Sequence, residues 1–343
     1  MIIPPEFEVL RANQRFLAAE MASRGIDVRI FDLDRELLEA RFGSHCELFS
    51  DIDGSRGSYT ASIVTGSKTV TKRLLERESI SVPRGYSFPV EEVEAIVAFA
   101  QQFLGFPVVV KPDFGVQGEC VFTEIESADE LRAAVMVIAH RAPMEKIVIE
   151  EHFEANEYRV FITEAGNYAV VHREPAHIVG DGVSTIEQLA LAESHRRMNP
   201  RANCLCEIDL DWEASQYLRR RARSFSSIPA YGEKVYLRGS SNVKKGGVPI
   251  DVTDRTHPSV IDICLRALRS IPGLPYAGID FMCHDISQQQ TGDSYRILEI
   301  NSVPGIGIHI APGRGQPRNV AAFIVDIIFP ETVAERRGES WAA

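Results

Sequence analysis

Tyr295-Arg296-Ile297-Leu298-Glu299-Ile300-Asn301 and the turn after it, Ser302-Val303-Pro304-Gly305, decide how the chain is read. The run has the character of a buried strand with polar residues set into it. Side chains alternate across a strand, so Glu299 and Asn301 are expected on one face with Tyr295 and Ile297. Arg296, Leu298 and Ile300 are expected on the other. A carboxylate inside an apolar run is costly to bury unless a cation or hydrogen bonds compensate it. Gly278-Ile279-Asp280-Phe281-Met282 shows the same pattern upstream. If the two strands are neighbours, Asp280, Glu299 and Asn301 bring three oxygen-bearing groups together. Such a set, without thiols, suits magnesium (or manganese) bound together with substrate phosphates. The alternative is a structural ion pair between a strand carboxylate and an arginine.

Composition narrows the class. The chain has 343 residues, 45% hydrophobic and 25% charged, as in an ordinary soluble globular protein of two or three domains. The net charge of −11 argues against a nucleic-acid partner. No apolar run has the length of a membrane span, and the first residues lack the form of a secretory signal. The six cysteines are scattered, and only Cys204 and Cys206 are close. One C-x-C pair is a weak zinc signal, so reduced thiols in the cytoplasm are expected. The nine histidines show no H-E-x-x-H spacing.

Outward from the decisive strand, the pattern is that of an α/β protein. Residues 8–24 read as a helix closed by Gly25, Val28–Phe31 as a strand, and Leu33–Phe42 as a second helix, together the start of an open α/β domain. No G-x-G-x-x-G turn follows, which argues against a dinucleotide site. Residues 50–59 read as a loop or hairpin. Ser67 is a plausible cap for a helix over 67–79. Lys68 opens that helix against its dipole, which makes it either a solvated lysine or one placed for a ligand. Val93–Leu104 is amphipathic. Val108–Pro112 is an apolar strand ending in Lys111. The loop Asp113–Cys120 follows, with Gly115 and Gly118, and then a strand at Val121–Thr123. A glycine-bearing hairpin beside a strand-end lysine can lay backbone N–H groups over phosphates. No G-x-x-x-x-G-K-[ST] loop occurs. Helix Ala128–His140 and strand Lys146–Glu151 lead to Phe153 and to strand Glu157–Phe161. Strand Tyr168–Arg173 runs into the tight loop Glu174–Gly182. Residues 183–233 read as a helical insertion. Strand Lys234–Arg238, the loop Gly239–Gly247, helix Val260–Ser270 and helix Asn319–Phe329 complete the chain, with a polar tail from Glu331.

In this order the elements resemble the ATP-grasp family of carboxylate–amine ligases. The marks are a lysine opening a helix (Lys68), a strand-end lysine (Lys111), a glycine-bearing lid loop, a Glu-Glu hinge (Glu150, Glu151) and the D…E-x-N strands (Asp280, Glu299, Asn301). Within that family the resemblance is specific to the ATP-grasp part of cyanophycin synthetase and of bifunctional glutathione synthetases. It rests on Pro175–Gly182, Gly232–Arg238, Ile250–Asp254 and Pro317–Val320, and it extends over about 67–330, while the first 66 residues match only in general style. Neither a Mur-ligase-like nor a cysteine-ligating region is expected within these residues. The lid departs from the family's D-G-x-x-G-K-G: Glu119 and Cys120 replace its lysine and last glycine, and the hinge glycine is Ala155.

The resemblance implies three subdomains, with ATP between a central lid and a C-terminal sheet: 1–66, a pre-ATP-grasp domain; 67–150, the lid domain; and 151–330, the C-terminal domain, with 331–343 as tail. Lys68 and Lys111 would contact ATP phosphates beneath the lid glycines Gly115 and Gly118. Glu150, Glu151 and Phe153 would form the adenine hinge, and Glu157 would take the ribose. Asp280, Glu299 and Asn301 would hold Mg2+ or Mn2+. Arg173, His177, Arg238, Asn242 and His309 would handle the substrates and the acyl phosphate. The implied activity is ATP-dependent joining of a carboxylate to an amine, with amino acid or peptide substrates and a homodimer expected. A cyclising or other phosphoryl-transfer enzyme, and a non-catalytic ATP-binding partner protein, are the alternatives. Arginines near the substrate loops suggest a substrate carboxylate that is not the reacting one, held by Arg173 or Arg238. The other possibility is that both pair with protein carboxylates such as Glu174 or Asp251.

Overall fold

A computed structural model describes residues 2–114, 120–141, 146–197 and 204–333. After a short 3-10 turn at Pro5–Phe7 come helix α1 (Ala12–Ser23) and three strands, β1 (Asp27–Asp32), β2 (Leu37–Phe42) and β3 (His45–Ser50). They form an antiparallel meander in the order β1-β2-β3. The helix expected over Leu33–Phe42 is therefore a strand, and the start is not an open α/β unit. Leu38 and Ala40 are fully buried while Arg41 is exposed, a period of two. Gly43, at φ 58°, closes the β2–β3 hairpin. The turn expected near residue 50 is present: Ser50 and Asp53 exchange backbone hydrogen bonds of 2.9 and 3.0 Å.

Helices α2 (Tyr59–Gly66) and α3 (Lys68–Arg77) follow. Ser67 caps α3 as expected, its hydroxyl accepting from the Val70 amide. The next unit holds β4 (Gly85–Pro89), α4 (Val93–Phe99) running into a π-turn, β5 (Val108–Pro112), β6 (Phe122–Ile125), α5 (Ala128–Arg141) and β7 (Lys146–Glu151). Its antiparallel sheet has the order β4-β7-β5-β6. Val108, Val110, Ile147 and Ile149 pack against Ile96, Val97, Leu131 and Val135 of the helices. By alternation, Lys111 and Glu150 lie on the opposite face.

The remaining strands are β8 (Asn156–Thr163), β9 (Tyr168–Glu174), β10 (His177–Val179), β11 (Lys234–Tyr236), β12 (Val248–Asp251), β13 (Tyr276–Cys283) and β14 (Tyr295–Asn301). The helices are α6 (Ile186–Arg197), α7 (Trp212–Arg220), α8 (Pro258–Arg269), α9 (Gly307–Ile310) and α10 (Val320–Ile328). Five strands form an antiparallel sheet in the order β12-β9-β8-β13-β14, and β10 pairs with β11 alone. The helices of the 183–233 stretch share a small core with that ribbon, through Ile178, Ile186, Leu218, Val235 and Leu237.

The five-stranded sheet positions the site. One face packs Val160, Ile162, Ile279 and Phe281 against Val260, Ile263 and Leu268 of α8. On the other face, Phe161, Ala169 and Tyr276 lie under α1 and α10. Further along that face the side chains become charged. The register of β13 on β14 explains how. Asp280 pairs with Glu299 and Phe281 with Ile297, so Leu298 is an extra residue, a β-bulge. The bulge reverses the alternation. Tyr295, Ile297 and Ile300 all enter the α8 core, and Glu299 and Asn301 turn to the opposite face. The expectation that Glu299 and Asn301 share a face with Tyr295 and Ile297 is thereby corrected.

Candidate active site

Two sheets present polar side chains toward each other, with the start of α3 alongside. Asp113, just past β5, accepts from the Ser67 hydroxyl (2.8 Å), the Thr69 amide (2.7 Å) and the Thr69 hydroxyl (2.7 Å). These bonds fix the first turn of α3 to the end of β5. Lys68 Nζ donates to the Asp113 carbonyl at 3.4 Å. One turn later, Lys72 is buried and donates to Glu150, which also accepts from Lys111. Gly85 lies opposite Glu150 in the β4–β7 ladder. A Cβ there would stand 2.2 Å from the Ile149 carbonyl oxygen, so the approach requires glycine. Burial lowers the Lys111 pKa to about 8; Glu299 opposes the shift and Lys68 adds to it. Burial, then Lys111, hold Lys72 well below the ordinary lysine value. Two lysines sharing one carboxylate leave an excess of N–H donors, which suits phosphate oxygens.

Across from them, Asp280 and Glu299 are cross-strand partners. Two carboxylates directly opposite destabilise a sheet unless cations intervene. Arg159 and Arg173 both donate to Asp280, Arg173 at 2.8 Å. Burial tends to raise the Asp280 pKa, but the two arginines outweigh it and hold the carboxyl at about 2. Arg173 also pairs with Glu157, whose second oxygen accepts from Ser241. Asn301 donates to Glu299 at 3.1 Å. The expected trio is thus brought together, with both Asp280 oxygens on arginines and Glu299 bonded only to Asn301 among the described contacts. Among the described residues no three His, Cys, Asp or Glu side chains form a metal cluster by themselves. Two carboxylates and an amide still fit magnesium, which completes its shell with water and substrate phosphates.

Gly278 makes this packing possible. A Cβ there would lie 2.5 Å from Pro304 Cβ and 3.1 Å from the Arg159 side chain. Gly278→Ala is expected to destabilise the fold by about 1–3 kcal/mol through overpacking. Urea denaturation midpoints of the two proteins measure this.

The Glu-Glu pair divides between two tasks. Glu150 goes to the lysines. Glu151 accepts from Arg84 (2.6 Å) and from Arg296 of β14 (3.0 Å), which ties the two sheets together. Arg296 also lies 4.8 Å from the centre of the Phe153 ring. Glu150 and Phe153 therefore turn their side chains to different partners.

The residues expected to meet substrate are scattered differently. Arg238 is fully buried. It donates to the Asp209 carbonyl (2.6 Å), Asp211 (3.3 Å) and Glu213 (3.1 Å). With Arg173 on Glu157 and Asp280, both candidate arginines are paired with carboxylates of the protein. The partners differ from those expected, Glu174 and Asp251. Asn242 caps the turn Val243–Lys245, accepting from the Lys244 amide. His177 Nδ1 donates to the Pro175 carbonyl at 2.9 Å, with burial lowering its pKa. His309 is buried beside Phe161 with neither ring nitrogen hydrogen-bonded, and burial, then Arg159, drive its pKa down to about 3. Gly115 and Gly118 lie outside the described residues.

No family model matches the chain. Cyanophycin synthetase of Synechocystis sp. is 32% identical over 304 residues, 88% of this chain and 34% of that protein. The glutathione biosynthesis bifunctional protein of Clostridium perfringens is 30% identical over 329 residues, 94% of this chain and 42% of that protein. A bifunctional glutathione synthetase from Pasteurella multocida superposes with a TM-score of 0.68 at 25% identity, covering 95% of this chain and 45% of that one. The chain has the ATP-grasp fold of these ligases. It spans only about a third to less than half the length of these relatives. A match over 94% of the chain takes in most of the first 66 residues, so the likeness extends further than the motifs alone suggest.

Four residues that the fold brings to this site are absent from the sequence reading of it: Lys72, Asp113, Arg159 and Arg296. Arg159 was accessible, because it alternates with Glu157 on β8 and so shares its face. Lys72 lies one helical turn after Lys68, the spacing that puts two side chains on one stripe.

Proposed function

We propose that the chain is an ATP-dependent ligase that joins a carboxylate to an amine, an amino acid or peptide on at least one side, and releases ADP and phosphate. The observation that carries this is the opposition of Lys111 on one sheet, with Lys68 and Lys72 of α3 beside it, to the paired carboxylates Asp280 and Glu299 of the other sheet. A substrate carboxylate attacks the γ-phosphorus of ATP and displaces ADP, giving an acyl phosphate. An amine then attacks the acyl carbon and phosphate leaves. The three lysines bind and orient the phosphates, and positioning together with fixed charge supplies the acceleration. Magnesium, when bound, supplies further charge stabilisation on the phosphoryl oxygens, and Asp280, Glu299 and Asn301 would hold it. Manganese has the same oxygen donors available.

Arg159 and Arg173 hold Asp280 ionised and fixed. The main chain around Glu150–Phe153 receives the purine, and Glu157 lies at the ribose end. Cytoplasmic localisation is supported by six unpaired cysteines; among the described residues no helix is long and apolar enough to cross a membrane. The test is a screen of amino-acid pairs and short peptides for phosphate release, with mass spectrometry of products. A product mass equal to acid plus amine minus water supports the proposal. A cyclic product, or ATP binding without ADP release for every pair, rejects it.

A further inference from the structure

Lys68 and Lys111 come from different parts of the fold. Lys111 belongs to β5 of the four-stranded sheet. Lys68 opens α3, whose Leu75 is buried in the core of the five-stranded sheet with Val160, Ile279 and Ile297. The body of α3 therefore follows the sheet that carries Asp280 and Glu299. Apolar packing is non-directional, so a further tie is needed to set Lys68 beside Lys111. Asp113 supplies it. Its amide donates to the Lys146 carbonyl at 2.7 Å, which anchors it to the start of β7. Its carbonyl accepts from the Lys68 amide at 3.3 Å and from Lys68 Nζ at 3.4 Å.

The side chain completes the tie. Asp113 is only 3% exposed. One carboxylate oxygen accepts from the Ser67 hydroxyl at 2.8 Å. The other accepts from the Thr69 amide and the Thr69 hydroxyl, both at 2.7 Å. Ser67 and Thr69 flank Lys68, so the backbone of that lysine is gripped on both sides. Beside a phosphate site a carboxylate works against anion binding, and a buried one is costly unless its hydrogen bonds are made. Its place here is explained by what it holds, the first turn of α3, where a negative charge also suits the helix dipole. Lys72, one turn later, reaches Glu150 through a flexible four-carbon stem. The grip of Asp113 is on main chain and is stiffer.

We infer that Asp113 is a positioning residue for nucleotide binding, acting through Lys68 by holding it beside Lys111 where the phosphates meet both. The inference rests on the nucleotide site of the ligase proposal above. Asp113 leaves the phosphate contact to the lysine, so its loss should matter only while Lys68 is present.

A double-mutant cycle tests it, read by calorimetric titration of the full chain with adenylyl imidodiphosphate and magnesium. Lys68→Met is expected to weaken binding roughly tenfold, the size of one charge-assisted contact. Asp113→Ala should weaken it by about the same factor, and the double variant should bind no more weakly than Lys68→Met alone. Independent contributions would instead multiply to roughly a hundredfold. That result, which a merely structural role for Asp113 would give, overturns the inference, as does wild-type affinity in either single variant. Thr69→Val removes one donor to Asp113 with little change of shape, and it keeps the test valid if Asp113→Ala fails to fold. It should weaken binding roughly threefold in the wild-type protein, the size of one neutral hydrogen bond, and leave the Lys68→Met variant unchanged. Equal effects in both backgrounds, or none in the wild type, overturn the inference. Failure of the wild-type protein to bind the analogue at millimolar concentration is a separate result: it removes the nucleotide site itself, and the inference with it.

Discussion

Glu299→Ala is expected to reduce magnesium-dependent turnover by roughly 10²–10³-fold or more, the loss seen when one preorganised charge-stabilising group is removed. Glu299 faces Asp280 directly across the β13–β14 ladder. Asp280 is compensated by two direct ion pairs, with Arg159 and Arg173, whereas among the described residues Glu299 is hydrogen-bonded only by the Asn301 amide and meets the Lys111 charge without an ion-pair contact. A partly buried carboxylate without a direct ion pair is costly to hold in the fold, and the arrangement makes sense if a cation arrives with the nucleotide. The substitution should accordingly leave stability unchanged or slightly raised. Thermal melting of the variant without nucleotide, beside ADP release with magnesium, separates the two effects. Near wild-type turnover would remove the metal assignment.

Lys111→Ala should raise the ATP requirement and lower turnover together, because its charge meets phosphates in the ground and transition states alike. A loss of about 10²-fold in turnover is expected. The same lysine sets a pH dependence. Burial holds its pKa at about 8, so the ammonium is lost as pH rises through 8, and wild-type affinity for an ATP analogue should weaken there. The sign for stability is opposite. Unfolded lysine titrates near ~10.4, so between about 8 and ~10.4 the unfolded chain binds more protons, and the nucleotide-free fold gains stability as pH rises through that window. Lys111→Ala should lose both trends. ATP dependence identical to wild type, measured by phosphate release, would contradict the assignment.

The sequence made most of the site legible because strand alternation is local. Lys111, Glu150, Asp280 and Glu299 each stand out as a charge in an apolar run, and the capping of α3 by Ser67 follows from residue chemistry alone. What was hidden depended on other strands. The bulge at Leu298 is a property of the β13–β14 pair, so period-two counting along β14 put Glu299 on the wrong face. Leu37, Leu38, Ala40 and Phe42 satisfy a helical period as well as a period of two, so the β2 stretch reads as a helix from sequence alone; its pairing with β1 and β3 makes it a strand. The fates of Arg173 and Arg238 were hidden for the same reason. Their carboxylates come from β8, β13 and the start of α7, outside the local window of either arginine.

The most direct test of the central claim follows the oxygen. With a substrate pair from the screen and 18O in both oxygens of the reacting carboxylate, one 18O atom should appear in inorganic phosphate for each amide formed, seen as an isotope shift in the 31P spectrum. This result requires the carboxylate to have attacked ATP. Phosphate without 18O, alongside amide formation, would mean that no acyl phosphate forms and would contradict the account.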